Sequence, residues 1–347
     1  MKATSTGSGP LKAGKIILFL ALCLVCMPGL SASVDNSTFQ SYIERHANGW
    51  IDWQQGLIYG IGRGYLYNNG NSRPRAKGAA SVLASGNIVK LAAGVNLDDA
   101  NTLKSIGSGR VVIQLKAFLR DQPHRTEFVG NVPKPYYEVI NVADMRGIKG
   151  LTAKLLDHLK NTRQWKDFPI DRRQASLDDE DQPWLVLDSR NAEGSADQLR
   201  PALFPKIKSE TGEVIHELPQ VEAAALYNRG MMQYVTTDIS PQRLRSDRNA
   251  LDELLTRAGQ LLPVDEAFAA DKKRRRRGRY IVKDVKHIEG LTKTNLVVSA
   301  ADATSMKSED LSSKVLKNCR VLVVISSPVG GIEGQLERHL AKVELRK

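Results

Sequence analysis

The stretch Leu57-Ile58-Tyr59-Gly60-Ile61-Gly62-Arg63-Gly64-Tyr65-Leu66-Tyr67 decides the first half of the chain. Leu57, Tyr59, Ile61, Tyr65 and Tyr67 share one phase of a two-residue alternation, so the segment reads as a strand. Gly60, Gly62 and Gly64 fall on its other face, which carries almost no side chains and lets another backbone come close. After the turn Asn68-Asn69-Gly70-Asn71, residues 73–93 read as a helix. Ala76, Ala80, Leu83, Ala84, Asn87 and Leu91 recur at its three-and-four spacing, a small-residue face suited to the glycine-bearing strand. Gly78 and Gly86 cost this helix about 1 kcal/mol each relative to Ala, so it depends on tertiary packing. Gly94 is the expected C-terminal cap.

Strands are expected over 111–118, 126–132 and 136–142, with Pro123 and Pro133-Lys134-Pro135 as separators, and a short helix over 151–159. Strand, helix and antiparallel meander make an α+β domain spanning 34–165. The spacing of Gly60-Ile61-Gly62-Arg63-Gly64 does not make a nucleotide loop. That fingerprint places its glycines after the strand, opening a helix.

A polar linker over 166–183, ending in Asp178-Asp179-Glu180-Asp181, leads to a second domain over 184–329. Residues 184–190 read as a buried strand emerging into polar residues, 207–216 as a hairpin region turning at Gly212, and 221–229 and 246–262 as helices. Residues 280–287 alternate as a strand. Residues 294–326 read as strand–helix–strand, with Ser308-Glu309-Asp310 opening the helix and the strands parallel under cover. Cys319 is expected buried, and Pro328 to Gly334 is expected to turn into a C-terminal helix over 330–347. The fold class is therefore α+β: two small α/β-type domains, the second a mixed sheet ending in strand–helix–strand.

The first 33 residues set an address. Lys2, Lys12 and Lys15 precede the apolar run 16–27, and Ser31-Ala32-Ser33 follows the helix breakers Pro28 and Gly29. This is the order of a secretory signal peptide cut after Ala32 or Ser33. The run spans about 18 Å as a helix, short of a bilayer core of roughly 30 Å. A lasting anchor and a transmembrane helix in the processed chain are both disfavoured. Leu22 before Cys23 and Val25 before Cys26 do not suit lipid attachment, so processing leaves Cys319 without an internal partner.

The 347 residues carry 50 Lys+Arg against 38 Asp+Glu, a surplus of +12. Three of those charges lie in residues 1–33 and seven in Lys272-Lys273-Arg274-Arg275-Arg276-Arg277-Gly278-Arg279, so the remaining chain is nearly neutral. A generally basic nucleic-acid binder is not the reading, and an exported chain does not ordinarily meet nucleic acid. Lys272, Lys273, Arg274, Arg275, Arg276, Arg277 and Arg279 are the candidate contacts for an anionic partner; a solvated loop is the alternative.

The six histidines include no pair at metal-ligand spacing, and no cofactor is expected. Asp188 at a strand end, with His216 as a partner, is the one catalytic pairing the pattern offers. A strand-ending Asp is more often a turn former.

The residues Gly60-Ile61-Gly62, Arg75-Ala76, Ala79-Ala80, Asn87, Leu91-Ala92 and Gly94-Val95-Asn96-Leu97-Asp98 resemble the LPP-twenty lipoprotein family of bacterial envelope proteins. The same module is similar to the N-terminal domain of the flagellar T-ring protein, FlgT type. The resemblance covers about 100 residues of small-residue pattern. It departs from the family in lacking the attachment cysteine and in placing Gly78 and Gly86 inside the helix. It implies a periplasmic or outer-membrane location and a non-enzymatic, structural role in scaffolding or assembly, flagellar structures included. Envelope proteins or an anionic envelope polymer are the implied partners. The alternatives are a glycan- or lipid-binding module acting through 272–279, and an envelope hydrolase.

Overall fold

A computed structural model of the chain describes residues 40–67, 72–106, 121–159, 183–193, 199–237, 239–247, 249, 251 and 280–325. Residues 1–39, the strand read over 111–118, all of the segment 166–183 except Pro183, the basic segment and everything after residue 325 lie outside them.

The chain enters as β1 (Gln40–Ser41) and then builds an antiparallel sheet from β2 (Ile43–His46), β3 (Gly49–Asp52), β4 (Leu57–Tyr65), β5 (Gln122–Val129) and β6 (Tyr136–Asp144). The spatial order is β2-β3-β4-β6-β5. One long helix, α1 (Ser72–Gly94), lies across β4, β6 and β3. Short helices α2 (Leu103–Ile106) and α3 (Leu151–Leu159) complete this domain.

The glycine face of β4 does what its pattern predicts. A Cβ added at Gly64, Gly62 or Gly60 would stand 1.9, 2.0 or 2.3 Å from the carbonyl oxygens of Ala76, Ala80 and Ala84, one helical turn apart each time. Strand backbone and helix backbone are in direct contact along this seam. Asn87, buried in α1, donates its Nδ2 to the Ile61 carbonyl at 2.7 Å and pins the register.

Three details differ from expectation. Leu83, read onto the helix face that meets the strand, is 50% exposed. Gly94 remains in the helix and has no positive φ, so it is not a left-handed cap. Pro123 lies inside β5, at a bulge before Arg125. β5 is the sheet's edge strand, where a missing N–H is tolerated, so the strand starts four residues earlier than its apolar pattern suggests.

The second domain holds two sheets. β7 (Trp184–Asp188), β10 (Gln233–Thr236), β11 (Tyr280–Asp284) and β14 (Val321–Ile325) form a parallel set in the order β10-β14-β7-β11. β14 is Val-Leu-Val-Val-Ile and wholly buried, and Leu185–Leu187 of β7 beside it are buried too, as central strands covered on both faces should be. β8 (Ile207–Ser209), β9 (Val214–His216), β12 (His287–Glu289) and β13 (Asn295–Val298) form a mixed sheet in the order β12-β13-β8-β9. The helices are α4 (Ala223–Arg229), α5 (Pro241–Ser246) and α6 (Ala300–Ser313). Of the helix read over 246–262, only Ser246, Asp247, Asn249 and Leu251 are described. Leu251 is buried with Leu244 of α5 against the parallel sheet, and α5 itself was not apparent in the sequence.

Three readings of this half are corrected. α6 opens at Ala300, where the Ser299 hydroxyl accepts from the Asp302 N–H at 3.0 Å, and ends at Ser313. Glu309 and Asp310 therefore sit in its last turns, not at its start. The alternating run 280–287 is two strands, because β11 and β12 enter different sheets. The strand–helix–strand order β13-α6-β14 holds, but β13 pairs with β8 while β14 runs between β10 and β7.

The described residues belong to one compact unit, and the two domains share a core that runs from Ile51 and Ile88 to Leu187 and Val323. β1 pairs antiparallel with β10, so the first described strand extends the second domain's sheet. Between the domains, Phe204 N–H donates to Leu97 O at 2.7 Å and Leu203 N–H to Asn96 O at 3.0 Å. The segment Val95 to Asp98 that follows α1 is thus the seat of segment 201–204. Asp98 shapes that turn by accepting from the Ala100 and Asn101 backbone N–H groups.

Candidate functional site

In open α/β sheets, ligands bind beyond the carboxyl ends of the parallel strands. Here those ends present Asp188 and Ser189 after β7 and Thr236 and Thr237 after β10. Asp188 does not face an open cleft. Its Oδ1 accepts from Arg190 Nε at 2.9 Å, and its Oδ2 from the Arg190 terminal nitrogen at 2.7 Å. The two side chains are only 1% and 9% exposed. Arg190 also donates to the Ile239 carbonyl, and Ser189 Oγ donates to Val324 O at 2.8 Å. A bidentate arginine with further carbonyl partners satisfies both ions and ties β7 to the segment after β10. Asp188 is the floor of a structural clasp. Its partner lies two positions along the chain, visible in the sequence as Asp188-Ser189-Arg190 but not singled out by pattern.

His216 sits in β9, an edge strand of the other sheet, fully buried. Burial pushes its pKa from 6.5 down to about 4; the Met231 backbone pulls weakly the other way without forming a hydrogen bond of normal geometry. The imidazole is therefore neutral at pH 7. The structure does not join it to Asp188, which is spoken for by Arg190. Because the folded-state pKa lies below the unfolded value, the unfolded chain binds the extra proton between pH 6.5 and 4. Stability is complete above pH 6.5 and falls as pH drops toward 4, by about 3 kcal/mol. Urea midpoints across this range should decline in the parent and decline less in His216→Phe; equal decline would contradict the assignment.

Cys319 is buried, and burial pushes its thiol up to about 12, so it is an inert small residue in the turn two positions before β14. Among the described residues no cluster of three His, Cys, Asp or Glu could hold a metal ion. The nucleotide-loop possibility at Gly60, Gly62 and Gly64 is closed physically, since α1 occupies the space a phosphate would need. Lys272, Lys273, Arg274, Arg275, Arg276, Arg277 and Arg279 lie outside the described residues, as does the turn at Pro328 to Gly334.

The structure adds an exposed cluster that sequence reading did not assemble. β4 ends, β6 begins, β5 ends and α1 begins at one end of the antiparallel sheet. Tyr65 pairs with Tyr136 across β4 and β6, with ring centroids 5.5 Å apart. Phe128 meets Tyr137 across β5 and β6 at 5.1 Å. Arg63 lies over Tyr136 and pairs with Glu138 at 2.8 Å; Arg73 lies over Phe128. Tyr67 is 80% exposed, and Tyr65 and Phe128 are nearly half exposed. Aromatic spacing alone would not have revealed this, because Tyr65 and Tyr67 stand more than sixty residues before Phe128, Tyr136 and Tyr137.

The layout defines a two-domain α/β protein: an antiparallel meander under a long helix, then a mixed-sheet domain with a parallel core. Residues 184–327, the second domain, match the family model described as Treponema pallidum Tp0624, second domain. No curated protein matches the chain.

Proposed function

We propose that this chain is an exported, non-catalytic protein of the bacterial envelope with a scaffold or assembly role at the periplasmic side of the outer membrane. The reading is carried by one observation: the groups that offered chemistry are used for structure. Asp188 is clasped by Arg190, His216 is buried and neutral, Cys319 is buried and protonated, and the β4 glycines seat α1. The order of residues 1–33 and the small-residue resemblance of the first domain support that location and leave a flagellar structure among the settings proposed. Among the described residues no helix is long and apolar enough to cross a membrane.

A second reading rests on the seven cations of 272–279, a density suited to an anionic glycan, lipid or acidic protein. Crosslinking in intact cells, followed by affinity purification, tests both. Discrete envelope proteins recovered with the chain support the scaffold. Capture that disappears when residues 272–279 are changed to Ser and Gln supports the second reading instead.

A further inference from the structure

We infer that the end of the antiparallel sheet is a docking surface for the headgroup layer of an anionic lipid bilayer. Tyr65, Tyr67 and Phe128 are exposed there. The first turn of α1 carries Arg73 and Arg75, and Lys134 is exposed in the β5–β6 turn. Both nearby acids are already paired, Glu138 with Arg63 and Glu127 with Arg125. Among the described residues no ion pair engages Arg73, Arg75 or Lys134, and α1 has no acid in its first turn to offset them. Cations at a helix N-terminus oppose the helix dipole, and a nearby anionic layer relieves that conflict.

The arrangement of the rings selects the occupant. Tyr65 and Tyr136 project from one face of the sheet, while Phe128 and Tyr137 project from the face that carries α1. Rings on opposite faces cannot form one flat platform for a sugar. Approached end-on by a planar interface, both pairs and the three cations can meet it together. Tyr at the headgroup level and Arg or Lys beside phosphates are the residue types such an interface favours. This docking depends on the sheet end alone, whatever compartment the chain occupies.

The test is co-sedimentation of the chain from residue 34 onward, which keeps every described residue. The probes are phosphatidylcholine vesicles with and without phosphatidylglycerol. Binding should require phosphatidylglycerol and weaken with salt. Each cation contributes about fivefold in partitioning, so R73Q/R75Q/K134Q should bind on the order of 100-fold more weakly. Y67S/F128S should lose binding as well, while changing residues 272–279 to Ser and Gln should leave it. All three cations are exposed and two oppose the α1 dipole, so the charge variant should melt at or slightly above the parent and remains informative if the aromatic variant does not fold. Four results would overturn the inference: no vesicle binding; equal binding by the parent and both sheet-end variants; binding that vanishes only with 272–279; or loss of heparin binding in parallel, which would mark a soluble polyanion site.

Discussion

Replacing Gly62 with Val should unfold the first domain or cost it more than 3 kcal/mol, with loss of the cooperative thermal transition as the readout. The added Cβ alone would stand 2.0 Å from the Ala80 carbonyl oxygen and 2.5 Å from the Ala84 nitrogen. Both are backbone atoms of a helix that Asn87 fixes to the Ile61 carbonyl, so neither element can retreat without breaking that bond and opening the core. Gly78 and Gly86 are the internal control. Nothing lies within 4 Å of a Cβ at either position. Gly78→Ala and Gly86→Ala should each raise stability by about 1 kcal/mol, because Ala removes the conformational cost of glycine in a helix. A Gly62 variant that melts like the parent would mean that the strand–helix seam is not the organising contact of the domain.

Asp188→Ala should destabilise the second domain by about 3–5 kcal/mol, since it leaves the Arg190 charge buried without its partner. The cost should appear as a lower urea midpoint. Asp188→Leu combined with Arg190→Met should recover much of it, because a buried ion pair replaced by apolar side chains of similar volume is often nearly neutral. If Asp188 were instead a catalytic carboxylate held by a cleft, Asp188→Ala would leave the midpoint close to the parent's. The size of the loss thus separates a clasp from an active site.

How much of this was legible in the sequence differs by element. The β4–α1 seam could be read because both partners announce it: glycines at every second position of a strand, and alanines at helical spacing. From β4 onward the order strand, helix, antiparallel strand pair and mixed sheet followed from periodicity, while the strand read over 111–118 lies outside the described residues. β1, β2, β3 and β10 escaped because two to four residues are too few to establish a period, and the β1–β10 pairing crosses nearly 200 residues of chain. The break between β11 and β12 escaped because alternation continues through Val285, although the Val285 N–H donates to the Asp188 carbonyl and the chain then leaves for the other sheet. The start of α6 was displaced because the acids at 309–310 resembled a first turn, while the true cap, Ser299 with Asp302, stood ten residues earlier. The site was less legible than the fold. Asp188 and His216 were visible as residue types, but only the sheets show that they stand in different sheets and that Arg190 consumes the carboxylate. The aromatic end of the first sheet became visible only when β4, β5 and β6 were in register.

The measurement that bears most directly on the central claim is recovery of the chain from cells crosslinked before lysis, with its N-terminus sequenced and its crosslinked partners identified. The account predicts a chain in the envelope fraction that begins at Ser33 or Val34 and carries discrete envelope proteins. A cytoplasmic chain that retains residues 1–33 and carries none would contradict it.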